Sequence, residues 1–214
     1  MAIEARQRPG GRSAEKRQAM LRGGLTVFGR DGYTRAGIDA IAREAGVSTR
    51  TIYNHYADKT ELFAAVIVES ATRVAEAQIA MISSYLDGDE PDLASLARAW
   101  ATPDPDSADH FALVRQVRAE ALHVPPEARE AWLDAGPRRA HAALADRLAR
   151  LGERGVLRVD DPDRTAAHFV QLVAGEATSR TMGWALPISV EEVHASADAG
   201  LAAFLRAYGV GGDR

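Results

Sequence analysis

Residues 38–55 read IDAIAREAGVSTRTIYNH, two short helical segments around Gly46. Ala42, four residues before the glycine, is small enough to let a second helix cross closely. Ile41, Ala45 and Val47 are apolar and flank the turn, and Ile52, six residues beyond it, packs back onto the first helix. Gly46 supplies the positive φ that so sharp a turn demands. These are the steric requirements of a helix-turn-helix. Any αα-hairpin needs a similar glycine, so the turn alone leaves both readings open.

The exposed residues favour nucleic acid. Ser48 caps the second helix. Thr49, Arg50 and Thr51 lie in its first turn, where a recognition helix meets base edges. Tyr53, Asn54 and His55 follow with hydrogen-bonding tips, whereas Tyr56 reads better as core. Lys59 opens the next helix, where free N–H groups and the dipole favour a phosphate. Residues 45–57 contain no Asp or Glu, unlike an ordinary solvated surface.

Outward from this pair the pattern stays helical. Helices are expected over about 14–30 (capped by Ser13 and ended by Gly32), 38–45, 48–55 and 58–85, the last with Asp58 and Glu61 at N-cap and N3. Further helices fall near 92–101, 108–122, 127–134, 138–153, 161–182 and 189–208. Ser189 and Glu192 form a capping box there, and Ile188 with Val193 a hydrophobic staple. No strand alternation and no internal repeat occurs. The expected fold is all-α, about nine helices: a three-helix head at 13–57, a connecting helix that starts at 58–68, and a larger helical bundle over 69–214. Residues 1–12, with Pro9-Gly10-Gly11, read as a disordered basic arm whose Arg6, Arg8 and Arg12 could add phosphate contacts.

The 214 residues are 46% hydrophobic and 26% charged, ample for a buried core. The net charge of −4 hides an asymmetry. Residues 1–60 hold 11 Lys/Arg and 6 Asp/Glu, the remainder 15 and 24. A basic head on an acidic body suggests an anionic partner for the head. Only Lys16 and Lys59 are lysines, so arginine as a type says little and its position must decide. Cysteine is absent, which excludes thiolate metal sites and cysteine nucleophiles. No apolar run is long enough to span a membrane and the polar start has no signal core, so a cytoplasmic location without a membrane partner is expected. The six histidines include no i, i+4 pair and no His-Glu-x-x-His, and no Gly-x-Ser-x-Gly or phosphate loop occurs. No cofactor, metal or catalytic residue is expected. A bundle hydrolase is the weakest reading.

The stretch FGRDGYTRAGIDAIAREAGVSTRTIYNHYADKTELFAAVI (28–67) resembles the DNA-binding domain of TetR/AcrR-type transcriptional regulators. The likeness is carried by Phe28, Gly32-Tyr33, Ile41-Ala42, Ala45-Gly46-Val47-Ser48, Thr51-Ile52-Tyr53, His55-Tyr56, Lys59 and Glu61-Leu62. Leu113–Val173 looks, more weakly, like the effector domain of the AefR-like subset. The resemblance implies a ligand-responsive repressor that binds double-stranded operator DNA as a homodimer. Its DNA-contacting set here is Ser48, Thr49, Arg50, Thr51, Tyr53, Asn54, His55 and Lys59, with Tyr53, His55 and Lys59 on phosphate and Thr49, Arg50 and Thr51 toward bases. Two departures stand out. Ala36-Gly37 replaces a Thr/Ser pair that caps and touches phosphate, which softens entry to the next helix by about 1 kcal/mol. Arg50 replaces a glycine; a guanidinium there reads guanine bidentately or grips a phosphate.

The same resemblance implies dimerisation through the two final helices. Their apolar faces carry Phe169, Leu172, Val173 and Ala177 on one and Val193, Ala197, Leu201, Phe204 and Leu205 on the other. On their own such faces read as interior core. It also implies an effector pocket, for a hydrophobic, aromatic or acyl small molecule. Candidate lining residues are Trp100, Phe111, Arg115, Trp132, His141, His168 and Glu176. The alternative is a small-molecule-binding bundle with a degenerate head, for which Ala36-Gly37 is the one sign.

Overall fold

The structure, a computed structural model, describes residues 9–210, with side chains from residue 13. Ten α-helices and one short 3-10 turn make up the described residues, and no named strand occurs among them. The helices are α1 (Pro9–Arg35), α2 (Ile38–Glu44), α3 (Thr49–Tyr53), α4 (Lys59–Leu86), α5 (Leu93–Ala101), α6 (Ala108–Ala119), α7 (Pro126–Ala135), α8 (Pro137–Glu153), α9 (Pro162–Arg180) and α10 (Val190–Tyr208). The all-α expectation holds. Helix α1 begins at Pro9, ahead of the Ser13 cap read from the sequence, and breaks at Gly32, whose φ of 80° is non-helical. The side chains of the basic arm, Arg6, Arg8 and Arg12, lie outside the described residues.

The chain forms two compact units. The first takes the chain up to Ser70 together with Asp109–Trp132; the second takes Ala71–Ala108 and the chain from Leu133. The division between them falls inside α4, after Ser70. Helix α6 and most of α7, expected in the larger bundle, belong to the first unit instead.

In the first unit Met20, Val27 and Phe28 of α1 are fully buried, with Ile41, Ile52, Leu62, Phe63 and Ile67. Phe28 meets Phe63 edge-on at 5.0 Å between ring centres, a favoured arrangement of ring quadrupoles. Gly24 lets α4 approach: a Cβ there would lie 2.6 Å from Val66 Cγ2. Leu113 and Val117 of α6, Val124 and Ala128 join the same core.

The second unit packs the later part of α4 with α5, α8, α9 and α10. Ile82, Leu96, Leu144, Leu148, Phe169, Val173 and Phe204 are buried at its centre. Gly200 allows the α9–α10 crossing, since a Cβ there would collide with the carbonyl of Leu172. The helix starts follow local chemistry. Asp161 accepts from the Arg164 N–H ahead of α9, whose first residue is Pro162. The Ser189–Glu192 capping box is formed at α10, and Ile188 packs on the cluster that contains Val193. Arg98 of α5 binds Asp198 of α10 through both carboxylate oxygens, at 2.7 and 2.8 Å.

Candidate nucleic-acid interface

The turn between α2 and α3 is built as its sequence dictates. Gly46 has φ 65°, and nothing would touch a Cβ there. Backbone conformation, not crowding, therefore requires the glycine. The Val47 N–H returns to the Ala42 carbonyl at 2.9 Å, closing the end of α2. Ser48 then starts α3 by accepting the Thr51 N–H at 3.1 Å. Ile41, Ala42 and Ile52 are buried between the helices. Gly37 precedes α2 without a side-chain cap, as the missing Thr/Ser pair implies.

The outer face of α3 carries Arg50, Tyr53 and Asn54 exposed and Thr49, Thr51 and His55 half-buried. Tyr53 is 56% exposed whereas Tyr56 is buried, which separates the two tyrosines as expected. Arg50 has no side-chain hydrogen bond or ion pair among the described residues. Ser48 Oγ lies 2.9 Å from Thr51 Oγ1, so these two hydroxyls first serve the cap. Helix α3 is shorter than read from the sequence: it ends at Tyr53, and the His55 N–H turns back to Ile52. That tightened turn points Tyr56 into the core.

Lys59 has a second task that its position in the sequence did not reveal. Its ammonium donates to the carbonyls of Thr34 and Ala36, at 3.2 and 3.3 Å, and lies 5.0 Å above the Tyr33 ring. Two of its three N–H groups thus fix the uncapped approach to α2 before any phosphate is met. The absence of a capping side chain at Ala36-Gly37 was the available signal that another residue must hold this segment.

Residues 20–66 match the sequence profile described as "Bacterial regulatory proteins, tetR family". Residues 105–210 match "AefR-like transcriptional repressor, C-terminal domain". The chain belongs to the TetR family. It is a DNA-binding transcriptional regulator, not an enzyme. The HTH-type transcriptional repressor AcnR of Corynebacterium efficiens is 27% identical over 189 residues, 86% of this chain and 91% of that protein. A solved TetR-family regulator from Mesorhizobium loti superposes with a TM-score of 0.82 at 27% identity, covering 93% of this chain and 99% of that one. The flavonoid-responsive regulator FrrA superposes with a TM-score of 0.67 at 27% identity, over 92% and 98%.

As in other members of the TetR family, the head is joined to a helical C-terminal region, and the effector candidates fall in both compact units. Phe111, Arg115 and Trp132 are half-buried in the first unit, and Trp100 and His141 half-buried in the second. His168 and Glu176 are exposed, one hydrogen-bonded to Tyr208 Oη and the other 3.7 Å from Arg180. These two line no interior of their unit. Arg129, passed over in the sequence, buries its Nε without an acceptor among the described residues, as does Trp132 with its Nε1.

The dimer candidates need a correction. Phe169, Val173, Ala177, Val193, Ala197, Leu201 and Phe204 are buried within the chain itself. They form the seam of α9 and α10 with α5 and α8, so they are unavailable to a partner. Leu172 and Leu205 alone of the nine stay exposed, each at 38%. The apolar period identified the helices' inner face; the outer face carries the alanines at 195, 199 and 202.

Proposed function

We propose that this TetR-family chain represses transcription by occupying operator DNA as a homodimer and releases it when a small hydrophobic effector binds the C-terminal region. The observation that carries the reading is the α2–α3 pair. It presents Arg50, Tyr53 and Asn54 outward on a face with no carboxylate from residue 45 to 57. A helix so placed enters a major groove, and two heads would reach half-sites about one helical turn apart. Within this reading Thr49, Arg50 and Thr51 face bases, and Tyr53, His55 and the remaining N–H of Lys59 meet phosphate; Ser48 and Asn54 frame the helix. The repressor sign follows AcnR, named a repressor, and the effector class is supported by FrrA, named flavonoid-responsive.

The reading is tested by fluorescence anisotropy with the duplex upstream of the chain's own gene. Binding should be tight at low salt and weaken steeply as salt rises, with a log–log slope of about −0.9 per phosphate contacted. Indifference to that duplex and to random duplexes alike at low salt would overturn it. A thermal-shift screen that includes a flavonoid addresses the effector. A stabilising compound should also lower DNA affinity, since linkage is reciprocal.

Dimerisation is assigned to the outer faces of α9 and α10. Leu172, Leu205 and the exposed alanines at 195, 199 and 202 would pair with their counterparts in a four-helix arrangement. Trp100 and His141, both half-buried in the second unit, are retained as effector contacts.

A further inference from the structure

The segment between the break in α1 and the start of α2 has no side-chain cap of its own and leads directly into the α2–α3 pair. It is gripped from a distant part of the chain. The Thr34 N–H and the Thr34 hydroxyl both donate to Glu120 Oε2, at 2.8 Å each. The other carboxylate oxygen, Oε1, lies where only a glycine leaves room: a Cβ on Gly32 would come within 2.1 Å of it. From a second direction Lys59 binds the Thr34 carbonyl. Thr34 is thus held at its amide, its hydroxyl and its carbonyl.

Glu120 directly follows α6 and falls in the segment that matches the AefR-like C-terminal domain. It nevertheless belongs to the same compact unit as the head. Leu113 and Val117 seat α6 in the head's core, and Glu120 adds a charge-assisted clamp beyond them. A carboxylate is a poor neighbour for a surface that must meet phosphate. Its electrostatic effect and its geometric effect on DNA binding therefore have opposite signs and are separable by experiment.

We propose that Glu120 is a positioning residue for DNA binding: by holding Thr34 it fixes the entry to α2 and ties the DNA-reading pair to a helix of the effector-domain segment. This rests on the DNA-binding function assigned above.

The experiment compares Glu120→Ala, Glu120→Gln and Thr34→Val with the wild-type chain. Affinity is measured for a duplex selected by the wild type from a random pool, and amide exchange is followed across α2. Glutamine keeps an acceptor for both Thr34 donors and loses only the charge. Glu120→Ala should weaken binding by about tenfold and speed exchange in α2, while Glu120→Gln stays within about twofold. Thr34→Val should weaken binding less, and adding it to Glu120→Ala should cost little more, because both remove one interaction. Equal or tighter binding by Glu120→Ala, or α2 exchange that does not change, would overturn the clamp. Should the wild type select no duplex, the DNA-binding reading fails, and the α2 exchange of the same variants still decides whether Glu120 positions α2.

Discussion

At the scale of single residues, Arg50 and Lys59 are both cations near the same surface, and the structure gives them different work. Arg50 is exposed and unpaired among the described residues, so its guanidinium is available to a bidentate acceptor such as guanine. Arg50→Ala should relax preference at one base pair per half-site, a loss of about 1–3 kcal/mol of discrimination. A binding-selection profile that does not change on substitution would mean that Arg50 grips phosphate instead. Lys59→Ala should weaken all sequences alike and also loosen the Thr34–Ala36 segment, so its loss will exceed that of a simple phosphate contact. Gly46 and Ser48 were legible in the sequence because their partners are within a turn of them. The second task of Lys59 was not, since its carbonyl partner Thr34 is 25 residues away, and the separation of 86 residues from Thr34 to Glu120 hid that clamp altogether.

At the scale of elements, helix boundaries were readable wherever a local cap decides them. Asp161-Pro162, Pro137 and the Ser189–Glu192 box start α9, α8 and α10 as read. The apolar faces with Phe169, Val173, Val193 and Phe204 read on their own as interior core, and it was the resemblance that assigned them to a second chain. The structure decides for the core, so Phe204→Ala should cost about 3–5 kcal/mol of stability in denaturant melts. An unchanged midpoint would contradict its burial against Phe169. Between α5 and α10 an ionic link adds to the apolar packing. The Arg98 guanidinium, chiefly by hydrogen bonding, holds the Asp198 carboxyl below the usual carboxylate range. The Arg147 guanidinium does the same for Asp87. Each such group binds its proton more readily when unfolded. Its stabilisation is full above the ordinary carboxyl value and is lost as pH falls through the lower folded value. The melting temperature should therefore drop as pH falls below about 4. Asp198→Asn should shrink that drop, and a variant with the full acid sensitivity of the wild type would show that this bridge contributes nothing to it.

At the scale of the whole molecule, the basic first 60 residues and the acidic remainder do not divide where the compact units do, because α6 and most of α7 pack with the head. The sequence separated them since nothing local in Leu113, Val117 or Ala128 says which core they enter; their burial beside Phe28 and Phe63 is a long-range fact. In the function proposed above, activity at this scale depends on a second copy. One head offers α3 a single half-site, and pairing two heads multiplies affinity through a high effective concentration. The buried residues of α9 and α10 are unsuitable probes of that pairing: Leu201→Glu or Phe204→Glu would place a carboxylate in the core and unfold the chain. Leu172→Glu and Leu205→Glu start from exposed positions and should leave the monomer folded. Light scattering should then report a monomeric mass with an unchanged helical circular-dichroism signal, and anisotropy should report operator affinity reduced by at least about a hundredfold. A folded monomer that still bound the operator tightly would remove the need for the dimer. Variants that remained dimeric would move the interface off the outer face of α9 and α10.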